Sequence, residues 1–191
     1  SFTGGLPNIS NIGRKPEPIG VEGKSAVSAF PLRVFRFMEI YRGKEGQHGY
    51  PWHTSLGAGA SCLKRLALEV DDSYRDNFKS YCIADSCFGS VKGFIAACTA
   101  DKNSDREFVV NVKTAHALYP KKFIQNALSG MPGGVHITLT AVHPSTGIKL
   151  VACGYKYNIK NTSFFLSTEG AGSTTTGTPY EMKFHNDKGN Q

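Results

Sequence analysis

The chain has 191 residues and a net charge of +7, with 22 Lys and Arg against 15 Asp and Glu. An apolar content of 40% supports one ordinary core and excludes a disordered composition. No apolar run approaches the roughly 18 residues of a membrane-spanning helix, and no charged-then-apolar leader opens the chain. The five cysteines, odd in number and without CxxC spacing, read as reduced intracellular thiols. The histidines are too scattered for a zinc motif.

In chain order, residues 1–20 read as an extended lead-in or linker, rich in Gly, Pro, Asn and Ser, with Pro16 and Pro18 opposing a helix. Val21–Ala29 and Leu32–Arg42 are predicted strands around Pro31. A Gly-rich break at Gly57–Gly59 leads into a predicted helix over Ala60–Val70, where Cys62, Leu63, Leu66, Ala67 and Val70 recur at helical spacing. Tyr81–Ala84 is a short strand, Phe88–Thr99 a helix and Phe108–Val112 a buried strand. Together they make a βαβ unit with a parallel pair. Pro120–Ser129 is a short helix closed by Gly130. From Val135 the period changes to two, and three strands (Val135–Val142, Ile148–Tyr157, Ser163–Thr168) with short turns predict an antiparallel meander. A Gly/Thr-rich tail carries one more strand candidate, Tyr180–Phe184. The fold class is α/β or α+β with mixed strand directions.

Between Phe108 and Thr168 there is no Asp or Glu, while Lys113, Lys121, Lys122, Lys149, Lys156 and Lys160 all lie there. Such a block reads either as a solvated lysine-rich face or as a phosphate-facing surface. Lys113, His116, Lys121 and Lys122 lie between a strand and a short helix, where phosphate contacts and an ordinary solvated face are both open readings. Asp85 ends a short strand and precedes a turn and a helix. Ligands of open α/β sheets gather at such strand ends, and a carboxylate there suits Mg²⁺. The alternative is that Asp85 or Ser86 caps the following helix. Asp71, Asp72, Asp76, Asp101 and Asp105 fall in polar loops and read as solvated charge. Cys87 beside Asp85 lacks a paired histidine, so a thiol nucleophile is not supported. Gly170–Thr174 lacks phosphate-loop spacing. Tyr155 and Tyr157 read as strand packing or as surfaces for stacked bases.

The segment Ala84-Asp85-Ser86-Cys87-Phe88-Gly89-Ser90 resembles the second-aspartate element of piggyBac-type DDE transposases. Further ordered blocks are similar to the same family: Lys15–Lys24, Glu39–Glu45 with Arg42-Gly43-Lys44-Glu45, Val112–His116 followed by Tyr119–Lys122, Gly154–Asn158, Gly170–Thr174 and Pro179–Lys183. The resemblance implies a ribonuclease-H-like mixed sheet with flanking helices, incomplete here. Residues 21–134 would form the partial core, and 135–191 an appended antiparallel insertion and tail.

The family uses three aspartates to hold Mg²⁺, with Mn²⁺ as a substitute, for cut-and-paste DNA transposition. Asp85 falls on the second and would be both catalytic and metal-binding, while Lys113, Lys121 and Lys122 would contact DNA. The first aspartate is expected upstream of Gly5-Leu6-Pro7 and the third downstream of Tyr180–Lys183, so the chain reads as a central fragment with one of three ligands. Where the family usually has an aromatic, two residues after this aspartate, the chain has Cys87. The partner implied is DNA, at transposon ends and target, in a nuclear homodimeric parent and without a membrane. The rival readings are a domesticated, non-catalytic DNA-binding module and a degenerate transposon remnant.

Overall fold

The structure is a computed structural model that describes residues 8–13, 16–28, 35–69, 81–100, 106–112 and 118–172. Lys113, His116, the five loop aspartates at 71, 72, 76, 101 and 105, and the strand candidate Tyr180–Phe184 lie outside the described residues.

The lead-in forms a two-residue antiparallel pair, β1 (Ser10–Asn11) with β2 (Ile19–Gly20). β3 (Gly23–Val27) and β4 (Phe35–Ile40) then make an antiparallel hairpin, with Lys24 opposite Glu39 and Ser25 opposite Met38. The strand expected to run to Arg42 stops at Ile40. Two short helices follow instead, α1 (Gly43–His48) and α2 (His53–Leu56). Gly43 begins α1 at φ 74, a left-handed conformation that costs glycine least. α3 (Ala58–Leu68) carries the predicted apolar stripe and begins two residues earlier than its periodicity indicates.

The central unit is β5 (Tyr81–Ala84), α4 (Val91–Ala100) and β6 (Glu107–Asn111). β5 and β6 pair in parallel, with Cys82 opposite Phe108 and Ala84 opposite Val110, as predicted. α5 (Lys121–Ala127) precedes the meander β7 (His136–Val142), β8 (Lys149–Lys156) and β9 (Thr162–Thr168), and α6 (Glu169–Gly172) follows it. The meander is not a separate sheet. β9 pairs antiparallel with β6, Val110 opposite Leu166, giving one five-stranded mixed sheet of order β5-β6-β9-β8-β7.

Helices α3, α4 and α5 pack on one face of that sheet. Leu63, Ala67, Val91, Phe94, Ala97, Ile124 and Leu128 meet Phe108, Val110, Ala152, Phe164 and Leu166 in a single cluster. Close approach relies on small residues. A side chain at Gly93 would strike Ala60 across the α3–α4 contact, and one at Gly154 would strike Ile124 on α5 and press on Leu128 just past its end. Tyr119 is buried under the sheet, its hydroxyl 3.0 Å from the carbonyl oxygens of both Cys153 and Phe165.

The hairpin β3–β4 shares no ladder with the five-stranded sheet. It is tied on by a buried ion pair. Arg65 of α3 donates from Nε to Glu39 Oε2 at 2.6 Å and from Nη2 to Oε1 at 2.7 Å, while Nη1 donates to the Pro51 carbonyl at 2.6 Å. The guanidinium also stacks over Tyr50, 4.8 Å from the ring centre. Both charges are below a tenth exposed, so removing one leaves the other buried and unmatched. Arg65→Ala is expected to destabilise the chain by about 3–5 kcal/mol. The double variant Glu39→Leu/Arg65→Met should recover much of that loss in chemical denaturation.

Candidate functional site

The βαβ crossover sets the site. β5 ends at Ala84, and the chain turns sharply: the Phe88 amide donates to the Asp85 carbonyl at 2.9 Å, and the Ser86 amide donates to the Asp85 carboxylate at 2.5 Å. The helix cap is neither Asp85 nor Ser86. Ser90 fills that role, its Oγ accepting from the Gly93 amide at 3.1 Å while its carbonyl accepts from Phe94. The capping alternative for Asp85 is therefore corrected. The turn is too long for residue 85 to reach the first free amides of α4, and its carboxylate bonds inside the turn.

Two glycines are required by close contacts around this turn. A Cβ at Gly89 would overlap the Asn111 carbonyl oxygen at the end of β6. One at Gly59 would press on the Cys87 carbonyl, so the start of α3 also rests on this turn. Asp85 itself is exposed. Cys87 is exposed too, and its thiol is pushed up first by partial burial and then by the Asp85 charge, with Lys24 opposing. That disfavours the thiolate at Cys87. Burial pushes Cys62 and Cys98 up to about 12.

At the carboxyl ends of β5 and β6 lies a polar cleft of about 500 Å³. Its walls include Ser86 and Asn111 from the strand ends, Lys121 and Gln125 from α5, and Lys160 and Thr162 from the β8–β9 turn. Asp85 adjoins the cleft through Ser86. The antiparallel pairing of β9 with β6 is what carries Lys160 here, because it places the start of β9 beside the end of β6. Lys121 Nζ sits 5.0 Å from the Phe164 ring centre. The turn holding Lys160 is fixed by Asn158, whose Oδ1 accepts from the amides of Lys160 and Asn161, both at 2.9 Å.

The acid-free stretch does not form one basic face. Lys156 is 6% exposed and donates to the Leu128 carbonyl at 2.9 Å, closing the end of α5 as a helix-terminal cation does. Lys149 pairs with Glu169, just beyond the stretch, at 2.9 Å. Lys122 is exposed on α5 and does not line the cleft. Of the predicted DNA-contacting lysines, Lys121 lines the cleft, and Lys113 lies outside the described residues. Asn111 and Gln125 were not named from sequence, and Lys160 only as one of the six lysines of the acid-free stretch, since nothing local reveals that β9 lies against β6. Tyr155 is half-buried in β8, and Tyr157 is exposed just past its end.

Among the described residues, no three His, Cys, Asp or Glu side chains gather where they could hold a metal ion. A two-metal clamp requires several carboxylates, of which Asp85 would supply one.

Two expectations follow from this geometry. Gly89→Ala should cost about 1–3 kcal/mol in thermal or chemical unfolding, since the turn cannot move away from β6 without opening the β5–α4 junction. In the folded chain, a thiol reagent should modify Cys87 first and leave Cys62 and Cys98 protected, as read by peptide mass spectrometry. Compared with models of known protein families, with curated proteins and with solved structures, the chain matches none.

Proposed function

We propose that this chain is a nucleic-acid-binding part of a piggyBac-like transposase core. DNA would lie over the cleft at the ends of β5 and β6, and the parent would act on transposon ends and target DNA in the nucleus. The single observation that carries the reading is the meeting of Lys121 and Lys160 with Ser86, next to Asp85, at the carboxyl edge of a parallel strand pair. Two ammonium groups flanked by Asn, Gln, Ser and Thr side chains suit phosphate oxygens, which take both charge and hydrogen bonds. The ribonuclease-H-like assignment of the mixed sheet belongs to this same reading and is supported by the strand–turn–helix placement of Asp85.

In this reading Asp85 supplies one carboxylate toward Mg²⁺ or Mn²⁺. The part assigned to the chain in this reading is to bind and orient DNA, and no cleavage step is assigned to it. The second reading is a domesticated, non-catalytic DNA-binding module, which would use the same cleft to hold DNA.

The test is titration of labelled duplex DNA at several salt concentrations. Lys121→Gln/Lys160→Gln is expected to weaken binding and to lower the slope of log affinity against log salt by about 2. Lys149→Gln, whose partner is Glu169, should leave that slope unchanged. The wild-type chain should leave the DNA uncut in Mg²⁺ or Mn²⁺, and Asp85→Asn should bind at least as well. Equal salt slopes for wild type and the double variant would remove the cleft from the DNA contact. Cutting by the wild type that Asp85→Asn abolishes would overturn the non-catalytic assignment.

A further inference from the structure

Trp52 is the chain's only tryptophan, and it occupies a position that suits other residues better. Its backbone has φ 61 and ψ 3, the left-handed region that Gly and Asn adopt most easily and a bulky residue rarely does. It stands at the N-cap of α2, where Asn, Asp or Ser would accept from a free amide, and the indole makes no such bond. It is not a core residue either, with 40% of its surface exposed. Conformation, capping and burial would each select a different side chain. Backbone strain of this kind collects where a side chain is held for contact with a ligand.

The surroundings of the ring are cationic. Lys64 of α3 places its Nζ 4.3 Å from the ring centre. Lys92 of α4 donates to the Ser55 carbonyl at 2.5 Å, and Ser55 donates to the Trp52 carbonyl at 3.2 Å, so Lys92 belongs to the same turn. Arg42 lies over Tyr50, 5.1 Å from its ring centre and two residues before Trp52. Among the described residues none of these three cations has a carboxylate partner. Arg65, over the same Tyr50 ring, is matched by Glu39.

Unmatched cations beside a half-exposed indole fit an anion that carries a flat apolar group. A bare phosphate would use the cations and leave the indole idle. An apolar peptide would use the indole and leave the charges idle. A nucleotide uses both, and its base must be unpaired, because bases inside a duplex already stack on one another and offer only their edges.

We propose that Trp52 stacks on an unpaired base of single-stranded DNA, with Lys64 and Lys92 on the adjoining phosphates. The patch adjoins the turn that carries Asp85: Gly59, at the start of α3, lies against the Cys87 carbonyl, and Lys92 follows the capping Ser90 by two residues. The choice of DNA rests on the cleft reading above, whereas the stacking contact rests on Trp52 and its cations. Stacking is tolerant of base identity, so the contact grips an open strand without reading its sequence.

The experiment uses the full chain. A sole tryptophan makes its fluorescence a report on residue 52 alone. Single-stranded oligothymidine is expected to quench it saturably, while polyphosphate, which has charge and no bases, and fully paired duplex leave it nearly unchanged. Affinities of variants are read by anisotropy of labelled oligothymidine. Trp52→Asn should weaken binding by about tenfold. Its melting temperature should equal or exceed that of the wild type, since Asn suits both the left-handed backbone and the N-cap. Trp52→Phe keeps a stacking face and should bind between the two. Lys64→Gln/Lys92→Gln should lower the salt slope on the single strand by about 1.4. Quenching by polyphosphate or duplex as strong as by oligothymidine would sink the proposal. So would a Trp52→Asn variant that binds as tightly as the wild type, or one that melts well below it, which would make the indole a packing group. The duplex titration of Lys121→Gln/Lys160→Gln reads the cleft separately, so failure at Trp52 and failure of the cleft are told apart.

Discussion

The bidentate pair between Arg65 and Glu39 holds together parts of the chain that no backbone ladder joins. The hairpin β3–β4 and the five-stranded sheet are separate hydrogen-bonded units, and α3 is the body between them. One side of α3 receives the hairpin through Glu39, and another packs on α4 where Ala60 meets Gly93. An apolar substitute could hold the hairpin down, but it would not fix its register. The guanidinium has one carboxylate, one carbonyl and one ring to satisfy at once, and only one placement of Glu39, Pro51 and Tyr50 does so.

From that anchor the order of the molecule runs outward to the cleft. The start of α3 rests on the Cys87 carbonyl through Gly59, and the turn rests on β6 through Gly89. The position of Asp85 is thus the end of a chain of close contacts beginning at a buried charge pair. Its neighbours in the cleft arrive from the opposite direction, carried by β9 and α5. The site is a meeting of two independently built halves, and the β6–β9 ladder is their common boundary.

Much of this layout was legible in the sequence because local patterns carried it. The alternation Val135, Ile137, Leu139 and Ala141 located β7, and the apolar runs at Tyr81–Ala84 and Phe108–Val112 located the parallel pair. The cap could not be chosen from sequence because Asp, Ser and Ser occur at 85, 86 and 90, all good caps, and only the length of the turn selects Ser90. The short helices α1 and α2 were missed because their residues, among them Gly43, Gly46 and His53, carry no apolar period. The lysine block misled for a different reason. Charge counted along the chain takes no account of facing, and β8 alternates, turning Lys156 inward onto α5 while Tyr155 faces away. Lys160 could not be placed without knowing which strand lies beside β6. The resemblance to piggyBac-type transposases rests on the ordered blocks alone, and the fold adds to it only the placement of one aspartate.

The pairing of β6 with β9 also has a kinetic consequence. Phe108 and Thr168, whose groups bond across that ladder, are 60 residues apart in the chain. The βαβ unit can assemble from nearby segments, and the meander can form from its own turns, but neither buries its apolar face fully until the two find each other. Contacts of such long separation are slow to form, because the intervening chain must first be constrained. During synthesis, β6 emerges well before its partner and must wait with one edge open. The time between the two events is when the nascent chain is most exposed to mispairing and most in need of a chaperone.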